Sequence, residues 1–93
     1  MNKINIIPYE VMDAPETKEL SSILKRFYNK VNINLISKDE KVDKDINILY
    51  NNRGDGKWLQ DFWSEEMIVV NNLDDLVSVL DFYSKYDYKT LNK

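Results

Sequence analysis

The chain has 93 residues, 43% apolar and 12% aromatic, with a net charge of −3 and neither histidine nor cysteine. Those proportions support one compact domain over 1–93 rather than a disordered tail, which would combine low hydrophobicity with high net charge. They exclude imidazole acid–base chemistry, thiolate nucleophiles, disulfides and zinc–thiolate sites.

At the start of the chain Ile4 and Ile6 flank Asn5, and Pro8 cannot donate to a ladder, so a strand is predicted over 3–8. Asp13 precedes Glu16 by three residues with Pro15 between them, the pattern of a capped helix start. Leu20, Ile23, Leu24, Phe27, Tyr28 and Val31 then form one helical stripe, predicting a helix over 15–30. Glu16 and Glu19 at its start and Lys25, Arg26 and Lys30 at its end complement the helix dipole.

From Asn32 to Ser37 the alternation of Ile33 and Leu35 with polar residues predicts a strand, followed by a charged connector from Lys38 to Asp45. Ile46, Ile48 and Tyr50 alternate into another strand, and Asn51 to Gly56 is a turn holding both glycines. Residues 57–66 read as irregular or short helical, with a return strand as the alternative. Met67 to Val70 reads as a buried strand. Asn72 and Asp75 make a second capping pair, and Leu73, Leu76, Val77, Leu80 and Tyr83 set the inner stripe of a helix over 73–85. Residues 87–93 are a short edge strand or a frayed tail. The expected fold is α+β: a small two-layer domain with two main helices packed on one face of a three- to four-stranded sheet. A compact doubly wound α/β unit is the alternative.

Among features that could carry function, the stretch from Lys57 to Glu66 stands out. Trp58, Phe62 and Trp63 lie together after the glycine turn, and aromatic anchors on supported loops serve as interface hot spots. The bland reading is that they cap the core. Asp61, Glu65 and Glu66 continue into Asp74, Asp75 and Asp81 without a basic residue between Lys57 and Lys85. Such a run steers a chain toward a basic protein surface, or else is an ordinary solvated face. The expected partner contacts are therefore Trp58, Phe62 and Trp63 as anchors, with Asp61, Glu65 and Glu66 as the charged edge.

Asp39, Glu40, Asp43 and Asp45 offer hard oxygen ligands, but Lys38, Lys41 and Lys44 are interleaved with them. Arg53-Gly54-Asp55 reads as turn chemistry, and a calcium loop starting at Asn51 fails at Arg53 and Phe62. Walker and dinucleotide motifs need glycines that this chain lacks. Ser21, Ser22, Ser37, Ser64, Ser78 and Ser84 have no histidine to activate them. No metal, cofactor or catalytic residue is therefore assigned. A negative chain also points away from nucleic acid, whose binding domains run basic.

The N-terminus is too short and polar for a signal peptide, and no apolar run approaches a membrane span, so a cytoplasmic location is expected. Lysine in excess of arginine, abundant asparagine and isoleucine, and the single alanine Ala14 fit an AT-rich coding sequence. A low-GC bacterium, its phage or a plasmid has such sequences. The expected function is non-enzymatic binding of a protein with a basic surface, as by a phage or mobile-element inhibitor of a host protein. Anti-CRISPR and other anti-defence proteins are of that type. The alternatives are an immunity or antitoxin protein neutralising a cognate toxin, a carboxylate-dependent hydrolase built on 39–45, and a self-associating homo-oligomer.

Overall fold

A computed structural model describes residues 3–40, 44–52 and 67–86. The aromatic stretch 57–66, the Arg53-Gly54-Asp55 turn and the tail 87–93 lie outside the described residues.

In chain order the elements are β1 (Lys3–Pro8), α1 (Ala14–Leu24), β2 (Asn32–Leu35), a one-turn 3-10 helix (Lys38–Glu40), β3 (Ile46–Tyr50), β4 (Met67–Val70) and α2 (Leu73–Lys85). These are two α-helices and one four-stranded sheet, a small α+β domain as expected. The sheet order is β2-β1-β3-β4, and every neighbouring pair is parallel. The order reverses between β1 and β3, the strand arrangement of doubly wound sheets.

Register follows the aliphatic pattern. Ile4 and Ile6 of β1 align with Ile46 and Ile48 of β3, and Ile48 aligns with Ile68 of β4. Successive side chains on a strand point to opposite faces, so these residues share one face. Ile4, Ile6, Ile46 and Ile48 join Leu20 and Leu24 of α1 and Leu76 and Leu80 of α2 in a single buried cluster, with Ile68 half-buried against it. Full burial of each such side chain is worth about 1.5–3 kcal/mol of transfer free energy.

The first helix is shorter than its stripe predicts. After Leu24 the chain tightens: Arg26 N–H donates to Ile23 C=O at 3.1 Å and Phe27 N–H to Leu24 C=O at 3.0 Å. These three-residue closures carry the chain through turns to Val31, and β2 begins at Asn32. Phe27, Tyr28 and Asn29 are weak helix formers, and the chain must reverse while still placing Phe27 and Val31 in the core. Both are buried, whereas Tyr28, on the expected inner stripe, is half exposed.

The opposite face of the sheet carries a polar row, with Asn34, Asn5 and Asn47 in register across β2, β1 and β3. Asn5 Nδ2 donates to Asn47 Oδ1 at 3.1 Å and to Asp45 Oδ2 at 3.0 Å. Asn47 Nδ2 donates to the Asp45 carbonyl at 3.2 Å, and Lys3 Nζ lies 3.7 Å from Asp45 Oδ2. Asn5 and Asn47 are buried, so these bonds replace the water each amide gives up.

Candidate functional site

Because all four strands run the same way, everything that follows a strand starts at one rim of the sheet. In parallel sheets ligands gather there, in the crevice where strand order reverses. Here the chain's own atoms bridge that crevice. Tyr9 N–H donates to Tyr50 C=O at 2.9 Å, extending the β1–β3 ladder. One residue further, Asn52 takes the place of a strand: its Oδ1 accepts from Glu10 N–H and its Nδ2 donates to Glu10 C=O, both at 2.9 Å. Asn51 is buried beside it; its backbone N–H donates to Val70 C=O at 2.8 Å and its Nδ2 donates to Asn71 Oδ1 at 3.1 Å. Asn51 Oδ1 has no hydrogen-bond partner among the described residues.

Both helices also begin at this rim. A bare helix N-terminus attracts anions through its free N–H groups and dipole. These two are already occupied, since Asp13 Oδ1 accepts from Glu16 N–H and Asn72 Oδ1 from Asp75 N–H, each at 2.8 Å. Pro15 removes one further donor, and Glu16, Asp74 and Asp75 put negative charge in the first turns. A phosphate would meet carboxylates at either helix.

The rim is acidic for the same reason. Exposed Glu10, Asp13, Glu16, Asp39, Glu40, Asp74 and Asp75 all follow the carboxyl end of a strand, with Lys38 interspersed in sequence and Lys18 a turn further along α1. The exposed cations Lys3, Lys25, Arg26, Lys30, Lys44 and Lys85 lie toward the opposite rim. Charge is thus segregated along the strand direction. Two groups toward the acidic rim are shifted from their ordinary values. Hydrogen bonds from the Ser37 backbone N–H and, second, its hydroxyl hold the Glu40 carboxyl below the usual range, at 3.0 and 2.9 Å to Oε1. Burial, and then the charges of Glu16 and Glu19, push the Tyr50 hydroxyl up.

Beside the acids, residues 8–12 and 35–37 enclose an open groove of about 330 Å³ between the β1–α1 loop and the end of β2. Its walls include Val11, wholly exposed, and Leu35, 46% exposed.

Of the residues singled out from sequence, Trp58, Asp61, Phe62, Trp63, Glu65 and Glu66 lie outside the described residues. Asp74 and Asp75 stand at the acidic rim, but Asp81 does not continue it: two turns along α2 it pairs with Lys85 at 3.1 Å. Asp43 lies outside the described residues; the other 39–45 carboxylates separate, with Asp39 and Glu40 following β2 and Asp45 tied to Asn5 and Lys3 at the start of β3. Among the described residues no three acidic, histidine or cysteine side chains converge on a metal position. The Ser22, Ser78 and Ser84 hydroxyls donate to carbonyls in the preceding helical turn. No helix among the described residues is long and apolar enough to cross a membrane.

Two features escaped the sequence reading, the asparagine clamp and the groove. The doublets Asn51-Asn52 and Asn71-Asn72, each directly after an apolar strand, are the signal that marks the clamp. Comparison with known protein families, curated proteins and solved structures finds no match for this chain.

Proposed function

We propose that this chain is a non-enzymatic binding protein that covers a basic surface on another protein in the cytoplasm. An inhibitor of a host protein carried by a phage or mobile element, of the anti-CRISPR or other anti-defence type, acts in this way. The observation that carries the reading is the segregation of charge among the described residues: exposed acids gather at one rim, with Lys18 and Lys38 near them in sequence, while the other described cations lie toward the opposite rim. Such a distribution orients a molecule as it approaches a basic partner and raises the association rate. The Asn52 clamp and the occupied helix termini further support surface recognition over nucleotide or phosphate binding.

Capture from host lysate by the immobilised protein, followed by mass spectrometry, tests this. A basic protein should be retained at low salt, released as salt rises, and lost when Asp74→Lys and Asp75→Lys are combined. Multiple turnover of a substrate by pure protein, abolished by replacing one carboxylate or serine, would overturn the reading.

A further inference from the structure

We infer that the amino-terminal rim of the sheet binds single-stranded nucleic acid, its cations holding phosphates and the exposed Tyr28 ring taking a base. This rim lies opposite the acidic one, so the inference goes beyond the proposed function and does not depend on it.

The net charge of −3 averages over two unlike rims. Lys30 stands two residues before β2, Lys3 opens β1, and Lys44 stands two residues before β3. Register makes these strand starts neighbours, since Lys3 aligns with Asn32 and Ile4 with Ile46. Adjacent strands lie about 4.8 Å apart, so the three starts form a row of about 10 Å. Lys25 and Arg26 enter the same turn that leads to Lys30. All five cations are exposed. Asp45, the described acid beside them, is only 7% exposed and already tied to Asn5 and Lys3. Among the described residues no carboxylate pairs with Lys25, Arg26, Lys30 or Lys44.

The apolar surface that accompanies this charge selects the occupant. Among the described residues the exposed large apolar side chains divide by kind. Aliphatic Val11 and Leu35 lie at the carboxyl-terminal rim, whereas the aromatic Tyr28, Phe82 and Tyr86 lie toward the basic one. Tyr28 is 50% exposed within the turn that carries Lys25, Arg26 and Lys30. Phe82 and Tyr86 end α2 with ring centroids 5.0 Å apart. A single strand presents a phosphate and a flat base at every repeat, so it meets the cations and covers a ring together. In a duplex the base faces are already stacked. An acidic peptide supplies the charge but no flat partner for the ring.

Fluorescence anisotropy of a labelled oligothymidylate of about 12 nucleotides, titrated with the full chain, tests this. Binding should saturate and weaken with salt, with a log–log slope of about −3, the value for four phosphate contacts on a single strand. Lys30→Ala and Lys44→Ala should each flatten that slope by about 0.7. Tyr28→Ala should lower affinity about tenfold and leave the slope unchanged, whereas Tyr28→Phe should bind as the native chain does. Circular dichroism verifies the fold of each variant. Amide NMR of the native chain gives a readout that needs no variant, with oligothymidylate-induced shifts expected to centre on residues 25–31.

No binding, shifts confined to the carboxyl-terminal rim, or a folded Tyr28→Ala that binds as tightly as the native chain would overturn the inference. So would a duplex of the same length that binds equally well. Polyglutamate that displaces the labelled strand as readily as unlabelled oligothymidylate would assign this rim to an acidic protein instead.

Discussion

Acids stand at both rims of the sheet, yet the two rims use them differently. Toward the amino-terminal rim the described acids are matched: Asp45 accepts from Asn5 and pairs with Lys3, and Asp81 pairs with Lys85. The Asp45 side chain is only 7% exposed, so its charge is sustained by those partners. At the carboxyl-terminal rim the acids face solvent, and several stand at the helix starts. A carboxylate tied into a buried network stabilises the fold, whereas one on an exposed first turn contributes little stability and remains accessible to a partner. The same residue type thus does structural service at one rim and faces solvent at the other.

The sharpest way to break this contrast is to remove Asp45. Asp45→Ala takes an acceptor from buried Asn5 and the counter-charge from Lys3, and should lower stability by about 1–3 kcal/mol in urea unfolding. A loss no larger than that of Asp74→Ala would erase the distinction between the rims. The caps come next. Asp13→Ala and Asn72→Ala should each lower stability by about 1 kcal/mol, because each leaves a first-turn N–H without its side-chain acceptor. Substitution of either by Asn or Asp, as appropriate, should restore most of it.

Asp74→Ala should lower stability by about 0.3–1 kcal/mol, the value of a charge at a helix start. Its larger consequence is expected in the association rate with a basic partner, measured by stopped flow at low and high salt. The smallest effect concerns Glu40, whose carboxyl ionises below its unfolded value in the folded chain. Its bonds to Ser37 therefore stabilise the fold above the unfolded value and are lost as pH falls through the folded one. Ser37→Ala should raise that folded value part-way in an NMR titration, since the backbone N–H, the larger cause, remains. An unmoved midpoint would remove the hydroxyl from the explanation.

Much of the local structure was legible along the chain. The strands at 3–8, 46–50 and 67–70 and the helix at 73–85 end where Pro8, the asparagine doublets and the caps place them. Alternation and the helical stripe record which residues meet the core, and caps record where backbone donors need partners. The first helix departed from its stripe because Phe27 and Val31 stay buried in consecutive turns without a continuous helix. Periodicity reports burial, and two backbone paths can bury the same residues. The groove was illegible for a related reason: Val11 and Leu35 look like core residues in sequence, and only their surroundings expose them.

By itself, then, the sequence determined most of the described elements, the aliphatic core and the absence of imidazole and thiol chemistry, since each depends on residue identity and near neighbours. Strand order, parallel pairing and the gathering of Glu10, Asp39, Glu40, Asp74 and Asp75 at one rim were decided by the tertiary structure. Those residues are far apart along the chain. They meet because all four strands run in one direction, so every segment that follows a strand starts at the same end of the sheet.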